Sequence, residues 1–99
     1  MFIRVTRWEM RPERWDDALA LFHDEVVPFL ERQPGFLRVL FAGDAVGRRG
    51  VTITMWQSEG HALAFERGGE AARAREPMAP VFAAPPEIVG YPVLLDREF

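Results

Sequence analysis

The chain has 99 residues, of which 48% are hydrophobic and 27% are charged, and its formal net charge is −3. This is an ordinary globular composition, and we expect one domain over residues 1–99. Acidic and basic residues are interleaved without a basic stripe, so nucleic acid is not an expected partner. A chain this short buries only a modest share of its surface, which favours association with a second copy.

The sequence predicts neither membrane insertion nor export. Its uncharged apolar runs are too short to cross a bilayer, and the N-terminus lacks the pattern of an export signal. We therefore expect a cytoplasmic protein. The chain contains no cysteine, lysine or asparagine, and Ser58 is its only serine. Thiolate and Schiff-base chemistry are thus excluded, and nucleophilic catalysis by serine has one candidate.

The first predicted elements are a strand and a long amphipathic helix. Residues 2–10 mix β-branched and aromatic residues, which favours a strand. Over residues 12–32, apolar residues recur at steps of three and four, which indicates a helix with one buried face. Pro28 lies inside this pattern and removes a backbone hydrogen bond, so we expect a bend or an early end there.

The middle of the chain predicts a β-hairpin. Residues 36–42 and 51–57 have the composition of strands, and the glycine-rich segment 43–50 between them is typical of a hairpin loop. These two strands should be antiparallel neighbours.

The last third predicts a broken helix and a final strand. Ser58 should begin a second helix, and the glycine pair at 68–69 should interrupt it before a short helical piece at 70–76. Four prolines between residues 77 and 86 predict an irregular segment. Residues 88–95 form the fourth strand, and Pro92 within it requires an edge position or a bulge.

The order β-α-β-β-α-β predicts an α+β, ferredoxin-like fold, in which a four-stranded antiparallel sheet carries both helices on one face. Alternation divides the strand residues into two sets. One set is Ile3, Val5, Leu37, Val39, Phe41, Val51, Ile53 and Met55. The other is Arg4, Thr6, Trp8, Arg38, Leu40, Thr52, Thr54 and Trp56. We assign the first set to the helices. The second mixes aromatic residues with arginine, as protein interfaces do, and should face a partner subunit in a dimeric barrel.

Three segments carry a resemblance to a known family. They are QPGF at 33–36 after the long first helix, MWQSE at 55–59 where a strand meets a helix, and APPEI at 84–88 before the last strand. In this order and spacing they resemble the antibiotic biosynthesis monooxygenase-like proteins of the dimeric α+β barrel superfamily. The resemblance implies a homodimer with a pocket for a small hydrophobic or aromatic ligand. It also implies activities that include cofactor-free oxidation of aromatic polyketides and haem degradation.

The functional residues of that family are only partly present. The haem-degrading members use an asparagine, a tryptophan and a histidine, and the corresponding positions here hold Thr6, Phe65 and Arg75. The polyketide oxidases depend on an asparagine, which this chain lacks, and Gln57 is a conceivable substitute. Trp56 matches the tryptophan at the strand end, and Arg73 or Arg75 could supply the cation. The chain therefore lacks the asparagine expected of the active members of the family.

The resemblance and the residue chemistry together give a candidate site. His61 and Arg75 are candidate catalytic residues, and Trp56, Phe65, Tyr91 and Thr6 are candidate substrate-binding residues. A neutral imidazole at His61 could accept a proton or bind iron. In the alternative interpretation Ser58 caps the helix and His61 lies in solvent at its first turn. Tyr91 could bind a phenolic ligand or only bury its ring. The two histidines lie on different helices, so no metal site is predicted.

If the chain is an enzyme, the resemblance implies oxygen-dependent, cofactor-free oxidation of a small aromatic or polyketide-like molecule in a pocket between the sheet and the helices. The protein would exclude water and hold the substrate anion near dioxygen. One alternative is a non-catalytic dimeric protein that binds a small molecule. Another is haem binding through His61.

Overall fold

The computed structural model describes all 99 residues. In chain order its elements are β1 (Phe2–Glu9), a 3₁₀ turn (Pro12–Arg14), α1 (Trp15–Leu21), a π-helical turn (Phe22–Val26), α2 (Val27–Glu31), β2 (Phe36–Asp44), β3 (Arg49–Trp56), α3 (Glu59–Arg67), α4 (Glu70–Arg75), a second 3₁₀ turn (Glu76–Val81) and β4 (Glu87–Pro92). No helix has the length and apolar character needed to span a membrane.

The four strands form one antiparallel sheet in the order β2-β3-β1-β4. The helices pack on one face of this sheet, so the predicted α+β, ferredoxin-like fold is confirmed. β4 lies at the edge of the sheet, where Pro92 can be accommodated because its missing N–H breaks no pairing with a further strand.

The first helical region runs over nearly the predicted residues but contains a π-helical turn. The N–H of Val27 donates to the carbonyl of Phe22, five residues earlier. The next residue, Pro28, has no N–H to offer the carbonyl of Asp24, so the ordinary hydrogen-bond pattern cannot continue there. The chain accommodates the proline by widening one turn, and the helix resumes in α2.

The second helical region also follows the sequence pattern. The Ser58 hydroxyl accepts a hydrogen bond from the backbone N–H of His61, which caps α3 as predicted. Gly68 and Gly69 separate α3 from α4, and Gly69 takes a positive φ of 82°. The proline-rich segment continues as the second 3₁₀ turn, which packs Met78 and Val81 into the core.

The assignment of the sheet faces was wrong for β1 and β3. Trp8 is 6% exposed and Trp56 is 0% exposed, and both belong to the hydrophobic core beneath the helices. Each indole N–H donates to a threonine on the same face, from Trp8 to Thr52 and from Trp56 to Thr54, at 3.0 Å in both cases. The threonines therefore satisfy the one polar group of each buried ring, which is why a mixed polar and aromatic set can lie inside.

A glycine makes room for Trp8. Gly50 lies directly opposite Trp8 in the pairing of β1 with β3, and a Cβ atom on Gly50 would approach the indole ring to 2.4 Å. The indole ring can occupy this space only because position 50 has no side chain.

The sequence correctly predicted two of the three residues of β2 that were assigned to the helix side. Val39 and Phe41 pack against the core, as expected, and stand opposite Thr54 and Thr52 of β3. A register irregularity between Phe36 and Arg38 leaves Leu37 exposed, contrary to its assignment. The stacked rings of Phe22 and Phe41, 4.1 Å apart, join β2 to the helical layer.

The open face of the sheet is the aliphatic one. It carries Ile3 and Val5 of β1 and Ile53 and Met55 of β3, which are partly exposed because no helix covers them. Leu40, Val89 and Tyr91 extend this surface and are exposed. We refer to these seven residues as the open face.

Candidate functional site

A cavity of about 60 Å³ lies between the sheet and the helices. Fifteen residues line it, of which ten are hydrophobic. Its aromatic walls are Trp8, Phe22, Phe41, Phe65 and Phe82. Roughly 10–15 Å³ of accessible volume is enough for one water molecule, so a cavity of about 60 Å³ has room for a few of them. The cavity in this conformation is therefore an apolar space with room for a small group.

The sheet supplies the polar residues of the cavity. Arg4 and Thr6 lie on β1 directly opposite Thr54 and Thr52 of β3, so all four side chains project from one face into the same space. The two threonine hydroxyls already accept hydrogen bonds from tryptophans, and each retains its own O–H to donate.

Arg4 is the most unusual residue of the site. It is 6% exposed, its Nη2 is buried without a hydrogen-bond partner, and its guanidinium carbon lies 5.5 Å from the centre of the Phe65 ring. Burial lowers the pKa of Arg4, the charge of Glu66 opposes this shift, and the charge of Arg75 adds to it. Glu66 is exposed, and none of the ion pairs in the structure includes Arg4. The cavity thus contains a buried cation without a direct counter-ion.

Arg75 connects the cavity with the outside. It ends α4 and is half-buried, and it lines both the cavity and an open groove of about 650 Å³ on the surface. Phe82 is likewise shared by the two spaces, and Arg11 and Arg73 flank the groove. Arg75 and Phe82 therefore separate the interior cavity from a surface groove that is lined by three arginines and one glutamate, Glu76.

The structure brings together three of the candidate residues from the sequence. Thr6, Phe65 and Arg75 all line the cavity. Trp56 lies behind Phe65, with the ring centres 4.8 Å apart, and supports the wall without forming it. Tyr91 is paired with Ile3 on the open face and is 52% exposed, away from the cavity.

His61 occupies a structural corner outside the cavity. Its Nδ1 lies 2.7 Å from the Ser58 hydroxyl oxygen, and its ring packs so closely on Gly35 that a Cβ there would approach the ring to 2.3 Å. Gly35 has a positive φ of 78°, and its carbonyl accepts a hydrogen bond from the N–H of Gln57. His61 is half-buried between these segments rather than in open solvent, and its ring does not line the cavity.

Sequence reasoning missed the place of Arg4, which it assigned to the partner-facing side of the sheet. The signal that could have found it is the alternation shared with Trp8, four residues later on the same strand face. Because Trp8 lies on the inner face of β1, alternation places Arg4 on the inner face as well.

The cavity residues do not fit haem. The cavity lining contains no histidine, cysteine or tyrosine, and its one side chain that can ligate haem iron, Met78, does so in cytochromes c only together with a histidine. The volume is also far below that of a macrocycle. No group of three or more His, Cys, Asp or Glu side chains converges as a metal site either.

Comparison with known proteins identifies the family. The family model described as antibiotic biosynthesis monooxygenase matches residues 1–77. The chain belongs to the antibiotic biosynthesis monooxygenase family. No curated protein sequence compared with the chain matches it.

Solved structures of this family share the fold. The haem degrader MhuD of Mycobacterium tuberculosis, with two haems bound in its active site, is 20% identical with a TM-score of 0.78, and the match covers 99% of this chain and 100% of MhuD. The ActVA-Orf6 monooxygenase of Streptomyces coelicolor, bound to nanaomycin D, is 22% identical with a TM-score of 0.73, over 97% of this chain and 92% of that one. A Nitrosomonas europaea protein of unknown function is 20% identical with a TM-score of 0.75, over 98% and 92%. At these identities the likeness establishes the fold, and MhuD and ActVA-Orf6 show that this fold accommodates different ligands.

Proposed function

We propose that the cavity binds a small aromatic molecule and that the protein catalyses its oxidation by dioxygen without a cofactor. The observation that carries the proposal is the lining itself, in which five aromatic side chains surround two arginines and no carboxylate. Such a site favours an aromatic body with a negatively charged oxygen. The family assignment and the ActVA-Orf6 monooxygenase among the structural relatives support the same chemistry.

The protein's part in this reaction is electrostatic. A phenolic substrate loses its hydroxyl proton to water, and Arg75 stabilises the resulting anion, which is the electron-rich form that reacts with dioxygen. The ring carbon opposite the hydroxyl forms a C–O bond and loses its hydrogen, which leaves a quinone. One oxygen atom enters the quinone and the other leaves as water. The substrate supplies all four electrons, so the balance requires no further reductant.

Substrate binding requires the cavity to widen. Ligand pockets have volumes of about 300–1,000 Å³, well above the cavity of about 60 Å³. The roof is formed partly by Ala71 and Ala74 of α4 and Met78 of the second 3₁₀ turn, next to the break at Gly68 and Gly69. Movement of this segment would open the cavity toward the groove through Arg75 and Phe82.

The same proposal includes a homodimer formed through the open face. Its seven residues are apolar, they form a continuous patch on the sheet, and the helices do not cover them. Two such sheets packed face to face would bury this surface in a closed barrel. The partner-facing surface is thus the aliphatic side of the sheet and not the side of Trp8 and Trp56.

Oxygen uptake tests the catalytic proposal. The wild-type protein, supplied with 1-naphthol, should consume one dioxygen per quinone formed, measured with an oxygen electrode and by quinone absorbance. Arg75→Met should lower kcat roughly tenfold or more, because it removes a charge that stabilises the anion. Arg67→Met, an exposed arginine at the end of α3, is the matched control and should be unchanged.

The second candidate function is non-catalytic binding of the same kind of molecule. It is favoured by one observation, that neither a histidine nor a carboxylate lines the cavity to act as a base. Binding of a panel of naphthols without any oxygen uptake would support this function and contradict catalysis.

A further inference from the structure

Arg4 has the properties of a receptor for an anion that the protein does not itself supply. A buried charge is normally paired, because removing an ion from water carries a large free-energy cost. Arg4 is buried, its Nη2 has no hydrogen-bond partner, and its guanidinium carbon lies 5.5 Å from the centre of the Phe65 ring. A cation over an aromatic ring recovers part of that cost, but it leaves the N–H donors of Nη2 unused.

The second arginine makes the charge imbalance larger. Arg75 lines the same cavity, and its charge disfavours the protonated form of Arg4. Glu66 acts in the opposite direction, yet it is exposed and forms no ion pair with Arg4. A negatively charged group in the cavity would be attracted by both arginines, in a space that excludes most water.

The donor geometry favours a carboxylate. A guanidinium presents planar, parallel N–H groups that match the two oxygens of a carboxylate. Thr54, directly opposite Arg4, already accepts from Trp56, so its hydroxyl hydrogen is free to donate to the same group. The rest of the lining is dominated by aromatic rings, which pack well on a flat ring.

We propose that Arg4 is the carboxylate-binding residue of the cavity and that the ligand is an aromatic carboxylate. This inference rests on the proposed function, because it requires the cavity to bind a small aromatic molecule. It assigns the ligand two negative positions: a permanent carboxylate at Arg4, at the sheet end of the cavity, and the reacting oxygen near Arg75, at the groove end.

Three probes separate the parts of this proposal: benzoate, its neutral isostere benzamide, and acetate, which has the carboxylate without the ring. Isothermal titration calorimetry should show that the wild-type protein binds benzoate roughly tenfold or more tightly than either other probe, as expected for a charge-assisted hydrogen bond added to ring burial. The NMR signal of the Arg4 Nε–H should move with benzoate and stay in place with benzamide.

Variants of Arg4 test whether this residue binds the carboxylate. Arg4→Met should abolish the preference for benzoate over benzamide while benzamide binding is retained, and Arg4→Lys should keep part of the preference. Arg67→Met is the control and should behave as the wild type. Calorimetric melting of each variant verifies folding, and benzoate should raise the Tm of the wild type more than that of Arg4→Met, in which benzoate and benzamide should give equal shifts.

The outcomes distinguish the two proposals. Equal binding of benzoate and benzamide by the wild type would overturn the carboxylate inference and leave the aromatic cavity standing. Acetate binding as tight as benzoate would also overturn it, because the ring would then contribute nothing. Failure of both aromatic probes to bind at millimolar concentration would overturn this inference together with the proposed function.

Discussion

The two faces of the sheet differ in their residues and in the number of polar groups that they carry. The face beneath the helices carries two tryptophans, two threonines that accept from them, and a buried arginine. The open face carries aliphatic side chains with few polar groups. The polarity of a strand residue therefore does not indicate whether it is exposed, because the covered face places each polar side chain against a partner or into the cavity. The open face has few polar groups to satisfy, among them the Tyr91 hydroxyl and the Arg38 guanidinium, and another apolar surface could bury most of it.

The largest expected effect comes from a charge on the open face. Ile53→Asp should convert the proposed dimer into monomers, because an unpaired carboxylate buried in an apolar interface costs several kcal/mol. Light scattering combined with size-exclusion chromatography measures the mass of each species.

Val46→Asp is the control for this experiment, since Val46 is 87% exposed in the hairpin turn and should leave the dimer intact. A wild-type protein that is monomeric at micromolar concentration would contradict the dimer and leave the open face without an explanation.

The covered face should respond differently. Trp56→Ala should lower the free energy of unfolding by about 3–5 kcal/mol, the usual cost of truncating a large buried aromatic residue. Trp56→Phe should cost less, because it keeps a ring and loses mainly the bond to Thr54. Urea unfolding at two protein concentrations provides the test. If the loss caused by Trp56→Ala depended strongly on protein concentration, Trp56 would belong to an interface after all.

These two faces also show what the sequence could and could not predict. Periodicity and turn residues were enough for the order of elements and the fold, since each depends on local spacing. Alternation divides a strand into two sets but does not say which set lies inside, and the aliphatic set was the wrong choice for β1 and β3. The positions of Thr52 and Gly50 opposite Trp8 indicate which set lies inside, because a buried indole N–H needs an acceptor and a bulky ring needs space.

Three of the six candidate residues named from the sequence line the cavity. Thr6, Phe65 and Arg75 came from the family resemblance and do line the cavity. Arg4 was assigned to the other face, because a charged residue on a strand is usually placed toward water or a partner. The cavity depends on the packing of α4 and the second 3₁₀ turn over the sheet, which no local pattern encodes.

The third test is a substitution of Arg4, which should change the free energy of unfolding in the direction opposite to that of Trp56→Ala. Arg4→Met should raise the free energy of unfolding by about 1–4 kcal/mol, because a hydrophobic side chain of similar length removes an unpaired buried charge. Urea unfolding measures this in the absence of added carboxylates. A loss of stability would mean that the guanidinium is already well satisfied in the folded protein, and would argue against its role as a carboxylate-binding residue.

The smallest expected effect is at the corner formed by Ser58 and His61. His61→Ala should lower the free energy of unfolding by about 1 kcal/mol, similar to the loss of a helix cap, because it removes the contact of the ring with Ser58 and Gly35. Because the ring lies outside the cavity, oxygen uptake with a naphthol should be unchanged. Haem added to the wild type or to His61→Ala should give the same Soret band. A tenfold loss of turnover, or a Soret shift that requires His61, would contradict this prediction. It would show that His61 takes part in the function and that the functional site extends beyond the cavity.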